Sequence, residues 1–170
     1  MDPQSEERLA REVAVEFTRR VLDENLPRIA QCVEKLEPHE LWSRLSPRSN
    51  SVGNLVLHLE GNVRQWILCG IGGDPDRRDR DGEFGATMES ETRSPRELVD
   101  CLRATVEEAA ALVQGLGTTD LLRRGVFQGR YSETTLGAVL HVMEHFSGHA
   151  GQIYAFTKAA RDEDLAFYDL

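Results

Sequence analysis

Five histidines stand at positions 39, 58, 141, 145 and 149. His141, His145 and His149 follow one another at four-residue spacing. On a helix, residues four apart lie on one face. Two imidazoles at that spacing can present their nitrogens to a single metal ion. The outer members of the series are about 12 Å apart along the axis at ~1.5 Å per residue, so at most one adjacent pair ligates directly. His145 belongs to either pair. At about 100° per residue, with His145 as origin, the apolar arc Val142, Ile153, Phe146, Val139, Ala150 and Met143 spans roughly +60° to +160°. His149 falls near +40° and His141 near −40° on the same wheel. The pair His145 and His149 therefore faces the core more directly.

A catalytic zinc-like site takes three protein ligands and leaves one position open. The third ligand must come from another element. His58 is the natural choice, because His39 sits in a polar Glu37-Pro38-His39-Glu40 turn. Asn54, Asn62 and Gln65 share the lane around His58, and Leu55, Leu59, Val63, Val56 and Trp66 form an apolar face beside it. His141, Asn62 and Gln65 are placed to orient ligands or substrate. Glu60 and Glu144 point outward on the wheel, and no His-Glu-x-x-His is present, so a zinc-protease general base is missing. One histidine on a helix seam is ordinarily a packed, hydrogen-bonded residue. Three aligned on one face, with a fourth on another helix, depart from that.

Four helical runs must carry these side chains. The first spans about 5–36, with apolar positions Leu9, Val13, Phe17, Val21, Leu22, Ile29 and Val33. Pro27 should kink or split it, since proline lacks the N–H and clashes with the preceding turn. The second spans about 51–71 and stops at Gly70-Ile71-Gly72-Gly73. The third opens with Ser94 as N-cap, Pro95 in the first turn and Glu97 completing a capping box. It ends at Gly115 and Gly117. The fourth runs from Thr134 or Thr135 to about 160. Residues 124–131 can make short extended pieces. Residues 72–93, with the charge run Asp74-Pro75-Asp76-Arg77-Arg78-Asp79-Arg80-Asp81, read as a solvated loop, with a lid as the alternative. Together these predict an all-α four-helix bundle with long connecting loops, forming one domain over 1–170.

Acidic residues outnumber basic ones 29 to 20, for a net charge of −9. That argues against a nucleic-acid partner, which requires Lys and Arg to neutralise phosphates, and against an anionic membrane surface. No apolar run reaches the ~18 residues of a membrane span. The acidic start lacks a basic n-region and an apolar h-region, so a cytoplasmic location is expected. Cys32, Cys69 and Cys101 are odd in number and widely spaced, as expected of buried small hydrophobes in a reducing compartment. Trp42 and Trp66 read as core residues.

Two stretches carry a resemblance. One is Ser49-Asn50-Ser51-Val52-Gly53-Asn54-Leu55-Val56-Leu57-His58-Leu59-Glu60-Gly61-Asn62, followed by Arg64-Gln65-Trp66-Ile67. The other is His141-Val142-Met143-Glu144-His145-Phe146-Ser147-Gly148-His149-Ala150-Gly151-Gln152-Ile153. Together they resemble the DinB-like (YfiT-type) superfamily of metalloenzymes, and within it the DUF1572 group. The likeness extends to Leu26-Pro27-Arg28 and the Arg-Asp-Arg-Asp loop. It implies an up-down-down-up bundle, a divalent metal (zinc or nickel) on His58, His145 and His149, and a homodimer. Some relatives use low-molecular-weight thiols such as bacillithiol or mycothiol, which makes a thiol-dependent S-transferase or hydrolase acting on a small molecule the leading expectation. The rivals are a non-catalytic metal-binding or stress-related interaction module, with a fourth protein ligand closing the site, and a plain structural bundle.

Overall fold

The computed structural model describes residues 2–167. Met1 and residues 168–170, which the one-domain reading includes, lie outside them. The protein is built almost wholly of helices, with one two-stranded ribbon. Helix α1 (Pro3–Phe17) starts where the Asp2 carboxylate accepts from the Ser5 N–H at 3.0 Å. A π-helical segment (Thr18–Asn25) follows, then α2 (Leu26–Lys35). Pro27 therefore divides the first run. Proline has no N–H for the residue-23 carbonyl and its ring presses on that carbonyl. The ladder before it widens, so that the Leu26 N–H reaches back to Val21 O. The Asn25 amide donates to Arg20 O at 2.7 Å, occupying a carbonyl of the widened turn.

One expected core residue of this run is not in the core. Leu9 is 49 % exposed, whereas Ala10, Ala14, Phe17 and Val21 are buried. The buried stripe is set by what α1 packs on, namely α6 (Pro95–Gln114) and α7 (Thr118–Leu122), and alanines permit that close approach.

After the short α3 (Pro38–Leu41), Ser51 caps α4 (Val52–Val63) in a reciprocal box with Asn54. A second π-helical segment (Arg64–Cys69) extends it to Gly70. A short helix, α5 (Arg80–Gly85), then forms inside the stretch expected to be a solvated loop. Ser94, Pro95 and Glu97 open α6 as the sequence predicts. Strands β1 (Arg124–Phe127) and β2 (Tyr131–Thr134) pair antiparallel, Phe127 opposite Tyr131. Thr134 then caps α8 (Thr135–Arg161).

Helices α2 and α4 each pack against both α6 and α8. Their inner faces meet in a continuous core that includes Phe17, Leu26, Ile29, Leu55, Leu59, Leu102, Phe146 and Ile153. Trp66 belongs to this core, whereas Trp42 is half-buried against it. Cys32 is fully buried, but Cys69 and Cys101 are only half-buried, at the edges of their helices. Among the described residues no helix is long and apolar enough to cross a membrane.

Candidate metal centre

Helices α4 and α8 bring three imidazoles together. His58 Nε2 faces His145 Nε2 at 3.1 Å. The His149 ring lies 4.5 Å from that of His145 and 5.0 Å from that of His58, centroid to centroid. One nitrogen from each of the three rings can be chosen within 4.8 Å of the others, so the cluster could hold a metal ion. A Zn–N bond of about 2.0–2.1 Å in a tetrahedral site places donor nitrogens about 3.3 Å apart. The His58–His145 separation of 3.1 Å already matches, and His149 offers a nitrogen within 4.8 Å of both. Neutral nitrogen donors of this kind suit zinc, nickel, copper or iron.

The other residues singled out from sequence fall into place around this cluster. His141 is not among the converging donors. Its ring packs on Trp66, 4.0 Å between centroids, and lies 5.6 Å from the His145 ring. Asn62 is buried and, with His58, His141, His145, Trp66 and Tyr131, lines a cavity of about 460 Å³. Gln65 works at one remove: its carbonyl oxygen accepts from Arg78 Nη1 at 2.9 Å, and its amide donates to Asp76 at 2.7 Å.

Glu83 was missed by sequence reasoning, and Arg78 reads from sequence only as part of a solvated loop or lid. Both come from the stretch 72–93, yet their side chains are only 6 % and 10 % exposed. Arg78 grips Glu83 with two prongs, Nε to Oε1 at 2.6 Å and Nη2 to Oε2 at 2.8 Å. Glu83 Oε2 in turn sits 3.0 Å from His58 Nδ1. Arg78 Nη2 is also 2.9 Å from that nitrogen. The same Nη2 lies 3.4 Å from His58 O. A carboxylate oxygen can only accept, so the 3.0 Å contact with Glu83 is a hydrogen bond in the Nδ1–H tautomer of His58, the one that aims the Nε2 lone pair into the cluster. The available signal was apolar. Phe84 and Ala86 interrupt the charges, and the Phe84 ring packs 4.6 Å from that of His58.

Burial and mutual repulsion disfavour protonation of the imidazoles on α8. Burial, then the neighbouring His149, His58, His141 and the Arg78 guanidinium, push His145 down to about 3. Burial likewise lowers His141 and His149, although Gln152, 2.8 Å from His149 Nδ1, works the other way on His149. Burial alone would raise the Glu83 carboxyl, but the hydrogen bonds from Arg78 and His58 outweigh it and hold it below its ordinary value. Neutral imidazole is the form that binds metal. His145 Nδ1 is buried with no hydrogen-bond partner among the described residues, which costs about 1–3 kcal/mol. A buried orphan of that kind marks a site whose geometry is not set by stability alone.

These shifts fix the acid response of the metal-free protein. The unfolded chain takes up protons on His145 and His149 near 6.5, whereas the folded chain resists. The unfolded state therefore binds more protons as pH falls below about 6.5, and stability must drop. The Glu83 contribution is lost later, as pH falls through its lowered value. The urea midpoint of metal-free protein is expected to fall between neutral pH and pH about 5, and to fall less in His145→Gln. Equal slopes for the two proteins would contradict this.

The crystal structure of a DinB-like protein from Bacillus cereus ATCC 10987, at 2.01 Å resolution, is similar with a TM-score of 0.62. The likeness covers 81 % of this chain and 87 % of that one at 16 % sequence identity, so it is one of fold. The model of DUF1572, a protein family of unknown function, matches residues 11–168, and the chain belongs to that family. No curated protein matches it.

Proposed function

We propose that the protein is a divalent-metal-dependent enzyme in which His58, His145 and His149 hold zinc or nickel. Its framework is an up-down-down-up four-helix bundle, a single domain, working in the cytoplasm as a homodimer on a small molecule. The observation that carries the reading is the convergence of three imidazoles beside a cavity of about 460 Å³, within the size range of small-molecule sites. Three protein donors rather than four favour an open, catalytic position over a closed structural one.

A divalent ion held there supplies Lewis acidity and lowers the pKa of a bound water or thiol. The chain's own residues do the rest. Glu83 keeps the His58 proton on Nδ1. Trp66 packs on His141 at the cavity wall. Asn62 and His141 line the cavity and can orient a substrate. Gln65 acts through Arg78. The reaction class, carried by the superfamily resemblance, is S-transfer: a low-molecular-weight thiol bonds through sulfur to an electrophile, whose leaving group departs with its electron pair.

The test is metal-linked stability. Free ion at 100 times Kd stabilises a native state by about 2.7 kcal/mol, or about 5–10 °C in Tm for a chain of this size. Metal-stripped protein is expected to gain that shift on adding zinc or nickel and to lose it with a chelator. No shift with either ion would remove the metal from the proposal. A screen of thiols with electrophilic acceptors then addresses the reaction.

A further inference from the structure

One lane of α4 and of the π-helical segment that continues it reads Asn54, His58, Gly61, Gln65, at spacings of four, three and four, so all four lie along one face. Each engages the strand of chain that runs from Asp74 to Ala86. The Asn54 amide donates to Glu83 O at 3.0 Å and to Ala86 O at 2.9 Å. Gln65 accepts from Arg78. His58 meets Glu83. Gly61 makes room: a Cβ there would overlap Glu83 Oε1 and stand 2.9 Å from Arg78 Nε. A residue with any side chain would drive the carboxylate off the helix at the point where it reaches His58.

We propose that Glu83 is a positioning residue for the bound cation, and that Gly61 is the notch through which it acts. The proposal rests on the reading of the imidazole cluster as a metal site. A buried ion pair is weak evidence for stability, because an apolar pair of similar volume often serves as well or better. This pair is aimed. Arg78 fixes both oxygens of Glu83: Oε1 rests on Gly61, and Oε2 accepts the His58 Nδ1–H. That bond holds the tautomer whose Nε2 lone pair faces the cluster, fixes the ring plane and increases the basicity of the donor nitrogen. Carboxylates that hold a ligating histidine in this way are worth 10–100-fold in metal affinity.

The experiment titrates zinc into metal-stripped full-length protein and compares wild type, Glu83→Gln, Gly61→Ala and Glu91→Gln. Glu91 pairs with Arg93 at 2.8 Å and is about equally buried, but it does not touch the imidazoles. Glu83→Gln and Gly61→Ala are each expected to weaken zinc binding 10–100-fold, and Glu91→Gln to leave it unchanged. Alanine is the better helix former, so Gly61→Ala does not weaken α4 itself. Nitrogen NMR of the metal-free proteins gives a second readout, with His58 in the Nδ1–H form in wild type and a mixture of tautomers in Gly61→Ala. Wild-type affinity in both Glu83→Gln and Gly61→Ala overturns the proposal while leaving the metal site standing. So does equal loss in Glu91→Gln, which makes the effect structural. A flat wild-type titration overturns the metal reading itself, and this proposal with it.

Discussion

Replacing His145 by alanine is expected to abolish metal uptake while leaving the metal-free protein as stable as before, or more so. His145 stands close to both other donors, its Nε2 3.1 Å from that of His58 and its ring 4.5 Å from that of His149. Without it, two nitrogens remain, on different helices. The loss should exceed the 10–100-fold expected when only a supporting partner is removed. The stability half of the prediction follows from what His145 costs. Its Nδ1 is buried without a partner among the described residues, and its ring resists protonation down to about 3. The substitution removes an unsatisfied polar atom and a ring whose protonation burial and four neighbours oppose, at the expense of some packing. Elemental analysis and metal-free Tm, measured on the same preparations, decide it. Retained metal at one ion per chain would sink the site. A metal-free Tm several degrees lower would mean that the ring is held there for packing.

The helix series at 141, 145 and 149 was legible because a four-residue period projects directly onto one face, and its apolar neighbours orient that face. Helix starts were legible for the same local reason: Ser51 and Ser94 satisfy backbone donors only three residues away. Leu9 misled because periodicity counts apolar residues without knowing which side a neighbour occupies. Glu83 was hidden for a different cause. It contacts His58 across 25 residues of sequence, and a run of alternating Asp and Arg looks alike whether it is solvated or folded back. The distinguishing signal lay on the other partner, in Gly61. A glycine in the middle of a helix costs about 1 kcal/mol relative to alanine, and its reason is the carboxylate seated on it.

The residue after His145 should show the opposite behaviour. Phe146 is fully buried, on the side of α8 that faces the core rather than the cluster. Truncating a buried phenylalanine to alanine removes its transfer free energy and leaves a void that the close-packed core cannot fill without strain. The expected cost is about 3–5 kcal/mol. That is a large part of the 5–15 kcal/mol by which domains are usually stable, and it lowers Tm by roughly 6–20 °C. The imidazoles keep their spacing along α8, so Phe146→Ala at low temperature should still take up metal. Bound metal should recover part of the lost Tm, because ligand binding to the native state adds to whatever stability remains. Denaturant unfolding with and without zinc separates the two effects. If Phe146→Ala cost under 1 kcal/mol, α8 would not be the central wall of the core. If it lost metal binding in the folded state, the cluster would depend on packing behind the rings as much as on the donors themselves.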